Sequence, residues 1–302
     1  MNTPTSLKNS RSCSVRRLTP NFISYFMDYV ILSIIGLAMG LSGGLLGIGG
    51  SIVMIPAMTL AFGENQHLYQ AASMICNFFV ALSSVVAHRR AGTINLRTLR
   101  IMVPVGMVGV VLGVAGSNLS FFANERSYLL ARIFGIFLVY VAVLNAYKLI
   151  KTLHRNPDAD ITTPYLAVPT RGSTVAVGLI TGLSAGLLGI GAGSVATPLQ
   201  QVWCKTPLRR AMSNSAGMIV CITWLGALIK NATLGQHHID LPVFSTYPAW
   251  AVSLLIAWTT VPTALIGGYL GGYLMHRLPK NLVRACFIVI VGLAATQFLT
   301  VS

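Results

Sequence analysis

The sequence predicts an all-α fold, a polytopic transmembrane helical bundle built from two inverted repeats, each with a broken, glycine-rich helix. Three observations predict it. The segment Gly36–Pro56 reads GLAMGLSGGLLGIGGSIVMIP and recurs 142 residues later, at Gly178–Pro198, as GLITGLSAGLLGIGAGSVATP. The chain is 54% hydrophobic and only 9% charged, more apolar surface than a soluble domain of 302 residues buries. Finally, Lys and Arg gather in short segments whose counterparts in the other copy are poor in them.

The elements follow in order. Residues 1–21 are a polar, basic tail with Lys8, Arg11, Arg16 and Arg17. The tail lacks the apolar core and cleavage site of a secretory signal, so the first apolar tract is expected to remain in the mature chain. Repeat one covers 22–150 and repeat two 173–302. Between them, 151–172 is a linker loop with Pro157, Pro164 and Pro169.

Each repeat opens on a long tract free of charge, Tyr29–Gly63 and Gly172–Cys204. As one straight helix either tract would measure about 50 Å, against a hydrocarbon core of about 30 Å. Each must tilt steeply or break. The glycines of Gly43–Gly50 and Gly186–Gly193, followed by Pro56 and Pro198, predict a break. A second helix comes next, Leu68–Ala87 and Arg210–Ile229, where Ala72-Ser-Met-Ile matches Ala216-Gly-Met-Ile. Two more spans close each repeat: Ile101–Leu119 and Tyr128–Ile150, then Trp250–Met275 and Leu282–Leu299. The spacings Gly109/Gly113 and Gly267/Gly271 predict close helix packing.

Loop charge predicts the inversion. His88–Arg100 holds four Arg, and its counterpart Lys230–Tyr247 one Lys. Glu64–His67 holds no Lys or Arg, and Lys205–Arg210 three. Asn118–Ser127 holds one, and His276–Arg284 three. Equivalent loops on opposite sides of a membrane give this alternation under the positive-inside rule. The basic tail runs against it: if each broken tract is re-entrant, the tail falls on the side poor in Lys and Arg.

A broken helix exposes backbone polar groups at membrane depth, tolerated only in protein or along a cavity. Where the chain restarts a helix, near Gly50-Ser51 and Gly193-Ser194, unpaired N–H groups carry a partial charge of about +0.5. Glycines let an anion approach that backbone. The expected site therefore holds one small anion between the two restarts, on Gly49, Gly50, Ser51, Gly191, Gly193 and Ser194. Ser42 and Ser184 would add hydroxyl donors, and Asn77, Asn214, Ser213 and Gln200 would complete the shell. The same residue types also serve packing: GxxxG spacing runs through Gly36, Gly40 and Gly44, and a single intramembrane Ser or Asn suits an interhelical hydrogen bond. Valine at Gly50 or Gly193 is expected to abolish transport in a chain that still folds and inserts.

Other classes find little support. The acids Asp28, Glu64, Glu125, Asp158, Asp160 and Asp240 all lie at span ends or in loops, whereas cation sites and proton relays use carboxylates inside spans. A coupling proton, if one is used, has no evident side-chain carrier. Arg132 is read as the only basic residue well inside a span, either snorkelling to an interface or facing the substrate path. The net charge of +15 sits in loops, without the aromatic-interleaved basic domain that nucleic acid requires. The five cysteines have no disulfide or metal spacing. Gly44-Leu-Leu-Gly-Ile-Gly-Gly-Ser51 imitates a phosphate-binding loop but has Gly50 where the lysine must be. No cofactor is expected and no enzyme motif is found. The rival readings are a passive anion channel and a membrane-embedded enzyme or assembly subunit.

The two motifs GLSGGLLGIGGSIVMIP and GLSAGLLGIGAGSVATP resemble those of the TauE/SafE family of sulfite and organosulfonate exporters, also called the 4-toluene sulfonate uptake permease family. The resemblance extends to the Ala71-Ala-Ser helix, the His88-Arg-Arg-Ala-Gly-Thr-Ile turn and the ending IGGYLGGYLMHRLPKNLVRACF. It implies a multi-pass protein of the bacterial inner membrane that moves a small sulfur-containing or related organic anion. Ala185 and Ala192 replace the Gly43 and Gly50 of the first motif, so the two half-sites are expected to be unequal.

Overall fold

A computed structural model describes residues 22–63, 65–117, single positions between 132 and 150, and residues 170–189, 191–236 and 248–300. The predicted tail, most of the linker and much of the fourth span of repeat one lie outside the described residues. The helices are α1 (Phe22–Leu46), α2 (Ser51–Phe62), α3 (Gln66–Arg90), α4 (Leu96–Ser117), α5 (Arg171–Leu188), α6 (Gly193–Val202), α7 (Leu208–Thr233), α8 (Ala249–Arg277) and α9 (Lys280–Thr300). Among the described residues, six helices are long and apolar enough to cross a membrane. Trp258 and Ile266 of α8 and Leu293 of α9 face outward, while Gln70, Asn77, Ser194, Thr197 and Gln200 are buried. An apolar exterior with polar side chains set inside the core suits lipid as the surrounding solvent.

Both long tracts break at their glycines. α1 gives way to α2 across Gly47–Gly50, and α5 to α6 between Leu188 and Gly193. The short pieces, with 12 and 10 residues, are about 18 and 15 Å long, too short to cross the hydrocarbon core. Pro56 and Pro198 do not mark the breaks; each sits inside the short helix that follows.

Glycine ridges set the packing. A side chain at Gly36, Gly40 or Gly44 of α1 would run into the carbonyls of Thr260, Ala264 and Gly268 on α8. Gly267 and Gly271 of α8 answer against the carbonyls of Leu37 and Leu41. The second copy repeats the arrangement. Gly178, Gly182 and Gly186 of α5 meet Met102, Gly106 and Val110 of α4, and Gly109 and Gly113 meet Leu179 and Leu183. Without Cβ atoms the backbones touch directly, as small-residue interfaces in membranes do.

These contacts fix the helix directions. α1 runs alongside α8 in the same sense, and so does α3: Cys76 Sγ lies 3.0 Å from Thr260 Oγ1, and His88 Nδ1 lies 3.1 Å from His276 Nε2. Since α1 and α3 point the same way, α2 between them travels back. In the second copy α5 and α7 both run with α4: Leu99 meets Gly217 at one end, and Lys230 Nζ donates to Ser117 Oγ at 3.4 Å at the other. Cys204, just after α6, lies 3.7 Å from Ser173 at the start of α5 (Sγ to Oγ), so this tract also returns to the side it entered. The two groups run in opposite senses. Thr93, after α3, meets Ser213, near the start of α7, at 2.7 Å.

One end of the bundle therefore gathers Arg89, Arg90, Arg97, Lys205, Arg209, Arg210, Arg277 and Arg284. Arg209 Nη2 ties this end together by donating to the Leu278 carbonyl at 2.7 Å. Two residues counted as loop in the sequence are helical and buried instead, His88 near the end of α3 and Lys230 in α7. In the last turns of α3 and α7 these two side chains pack on protein, His88 against His276 and Lys230 against Ser117. Lys230, not Arg132 alone, is thus a basic residue within a span. Arg132 is exposed on a helical segment.

Candidate functional site

The two breaks share one backbone conformation. Gly47 and Gly49 have φ of +59° and +82°, and their equivalents Gly189 and Gly191 have +66° and +72°. Left-handed backbone at two alternating positions explains why both copies read Gly-Ile-Gly, since a side chain there costs about 1–2 kcal/mol. Gly50 and Ala192 are both right-handed, with φ of −82° and −73°, so alanine is tolerated in the second copy. Gly50 is held to glycine by space: a Cβ would lie 2.6 Å from the Met39 carbonyl oxygen.

The breaks meet each other. Gly193, the first residue of α6, lies against the Gly47 carbonyl and Ile48, and Gly47 lies against the Met212 carbonyl of α7. Gly189 packs on the side chain of Gln70 in α3. The Ser73 hydroxyl donates to the Gly189 carbonyl at 3.0 Å. Asn77, midway along α3, touches both breaks. Its Oδ1 accepts the Gly50 N–H at 2.7 Å and its Nδ2 donates to Ser51 Oγ. A Cβ at Gly191 would lie only 2.7 Å from that same Nδ2.

Helix ends supply further donors. The first helix-closing bonds run from Val53 and Met54 to the Gly50 carbonyl, and from Ala196 to the Ala192 carbonyl. The N–H groups of Ser51, Ile52, Gly193, Ser194 and Val195 precede those ladders and have no partner within their own helix. At the breaks, two side chains are left over. Gln70 is wholly buried, and among the described residues neither atom of its amide has a hydrogen-bond partner. The Ser194 hydroxyl, on the second residue of α6, is in the same condition. Orphaned buried polar atoms cost roughly 1–3 kcal/mol each and call for an explanation.

The sequence-predicted residues divide into three groups. Gly49, Gly50, Ser51, Gly191, Gly193, Ser194 and Asn77 come together at the breaks. Ser42 and Ser184 do not join them through a hydrogen bond; their hydroxyls donate to Met39 and Ile180 of their own helices, at 3.1 and 2.8 Å. Asn214 belongs to a separate cluster that binds α6, α7 and the turn before α4. Its Nδ2 donates to Gln200 Oε1 at 3.2 Å and its Oδ1 accepts the Asn95 N–H at 2.8 Å. Ser213 joins that turn through Thr93, and Gln200 reaches Ser215 at 3.1 Å. Gln70 and Ser73 were missed by sequence reasoning, though a glutamine and a serine in an otherwise apolar run carried the signal. Among the described residues, no group of His, Cys, Asp and Glu is placed to hold a metal ion.

Residues 32–298 match the family described as sulfite exporter TauE/SafE. The chain belongs to the TauE/SafE family. Its six long apolar helices are those of a polytopic membrane protein. Relatives include the probable membrane transporter protein MamO of Magnetospirillum gryphiswaldense, 24% identical over 90% of this chain and 45% of that protein. The probable membrane transporter protein YunE of Bacillus subtilis is 27% identical over 88% of this chain and 95% of its own length. A probable membrane transporter protein of Methanocaldococcus jannaschii is 28% identical over 67% of the chain and 72% of its own length. The TauE/SafE chain described here thus spans less than half of MamO and nearly all of YunE. No solved structure matches it.

Proposed function

We propose that this chain is a secondary transporter that moves a small anion, sulfite, an organosulfonate or a related organic anion, across the bacterial inner membrane. The two copies act as inverted repeats, and one rocks against the other around the paired breaks. The observation that carries the reading is Asn77. One amide on the central helix of repeat one contacts both breaks, beside two helix starts and the orphaned polar atoms of Gln70 and Ser194. A polar, uncharged cluster of N–H and O–H donors suits a small anion. The opposed senses of the two helix groups and the gathering of basic loops at one end support the inversion. Gly193 and Gly47 are in contact, so an anion enters only when the repeats part, as a carrier requires and an open channel does not.

Purified protein in liposomes tests this. Sulfite or methanesulfonate flux should saturate with substrate concentration. Asn77→Asp can still accept the Gly50 N–H, yet it sets a carboxylate where the anion would sit. Flux should fall at least tenfold in the protein that size exclusion shows to be folded. Undiminished flux in Asn77→Asp would remove the breaks from the substrate path, and non-saturating conductance would favour a channel.

A further inference from the structure

Building on the anion-carrier reading, we infer that the site selects singly charged anions and rejects dianions. Its donors are all neutral: the break N–H groups, the Asn77 and Gln70 amides, and the hydroxyls of Ser51 and Ser194. The hydrogen bonds of Arg209 and Lys230 run to the Leu278 carbonyl and to Ser117, not to these groups. At the breaks themselves the fixed positive charge is that of two helix starts, each about +0.5, so together they balance one negative charge and not two. The energetics sharpen the choice. Attraction to these dipoles grows in proportion to the ligand's charge, whereas the cost of taking an ion out of water grows with its square. Moving from a monoanion to a dianion therefore loses more in desolvation than it gains in contacts.

The donor and acceptor set at break two is also unfinished without a ligand. The buried, partnerless Gln70 amide and Ser194 hydroxyl flank break two on its two sides, Gln70 against Gly189 and Ser194 at the start of α6. Sulfonate or hydrogensulfite oxygens would satisfy the Gln70 Nε2 and Ser194 donors. The hydrogensulfite O–H would satisfy the Gln70 Oε1 acceptor, which a bare dianion cannot. This bears on coupling. A proton that arrives on the substrate needs no carboxylate or histidine in the spans to carry it. For sulfite, acid pH should promote transport by converting dianion to hydrogensulfite, not by titrating the protein.

Flux in proteoliposomes separates the charges. Methanesulfonate is a monoanion at every pH near neutrality, and sulfate is a dianion. Methanesulfonate should compete with labelled sulfite roughly tenfold or more better than sulfate does. Sulfite flux should rise as pH falls, in step with the hydrogensulfite fraction, while methanesulfonate flux stays flat across the same range. Gln70→Lys, which adds one positive charge, should narrow the gap between sulfate and methanesulfonate. The comparison in the unaltered chain decides the matter if that variant fails to insert. Equal competition by sulfate, or sulfite flux indifferent to pH, overturns the charge selection while the anion-carrier reading stands. No flux of any of the three anions overturns both.

Discussion

Gln70 and Ser194 separate a ligand site from a structural one. A polar group that holds the fold together costs stability when removed. A buried polar group with no partner costs stability while it is present, and its replacement by an apolar isostere is neutral or stabilising. Both residues are wholly buried and partnerless in the described protein. Gln70→Leu and Ser194→Ala are therefore expected to leave the melting temperature unchanged or raised, while substrate affinity falls roughly tenfold, about 1.4 kcal/mol. Thermal melts and flux kinetics on the same preparations check both halves. A lowered melting temperature with normal flux would make these residues ordinary packing. Asn77 differs in kind because it already accepts the Gly50 N–H, so its loss would mix folding with function. Of these side chains Asn77, Ser51 and Ser194 were legible in the sequence as polar residues in apolar surroundings. Gln70 was equally visible there, but only its place against Gly189 distinguishes it from Gln200, whose amide is used within the α6–α7 cluster.

At the scale of elements, the glycines do two jobs that look identical in sequence. Gly36, Gly40, Gly178 and Gly182 lie on helix faces pressed against a neighbouring backbone, whereas Gly47, Gly49, Gly189 and Gly191 hold left-handed conformations at the breaks. A pattern of small residues predicts that helices are close; it does not say which glycine bends the chain. Gly50 and Gly193 turn out to be limited by space as well. A Cβ at Gly193 would strike the Gly47 carbonyl and Ile48, and one at Gly50 the Met39 carbonyl. The expectation that valine at either position spares the fold therefore does not hold. Backbone cannot move aside as a flexible side chain does, and overpacking a tight core costs roughly 1–3 kcal/mol or more. Gly193→Val and Gly182→Val should both lower the melting temperature and yield of folded protein. Gly172, in the first turn of α5 with nothing within 4 Å of its Cβ position, gives the contrast. Gly172→Ala should be neutral or stabilise the helix by up to about 1 kcal/mol. Fluorescence-detected size exclusion with thermal melts distinguishes the set, and a folded, fully stable Gly193→Val would contradict the close meeting of the two breaks.

The whole molecule rests on how its halves are oriented, and the opposed senses of the two helix groups support an inversion. Charge-free tracts located the spans, the duplicated motif located both breaks, and loop charge ordered the ends. Hydropathy failed where burial is in protein rather than lipid: it left His88 and Lys230 outside the spans, although both are buried in helices. The inversion has a direct test, because it pairs loops that a parallel duplication would separate. Gly63, between α2 and α3, and Lys205, between α6 and α7, are equivalent positions in the two copies; Ala91, after α3, and Gly235, after α7, are another equivalent pair. All four are exposed. Parallel repeats would put Gly63 with Lys205 on one side and Ala91 with Gly235 on one side. Inverted repeats put Gly63 with Gly235 and Ala91 with Lys205. The second pair lies at the end crowded with Arg89, Arg90, Arg97, Arg209 and Arg210, which the positive-inside rule assigns to the cytoplasm. In a background with the native cysteines replaced, Gly63→Cys and Gly235→Cys should react in intact cells with a maleimide that cannot cross the membrane. Ala91→Cys and Lys205→Cys should react only after the cells are opened. Labelling of Gly63→Cys together with Lys205→Cys from outside would make the repeats parallel, and the two helix starts would then enter from the same side instead of meeting at one anion.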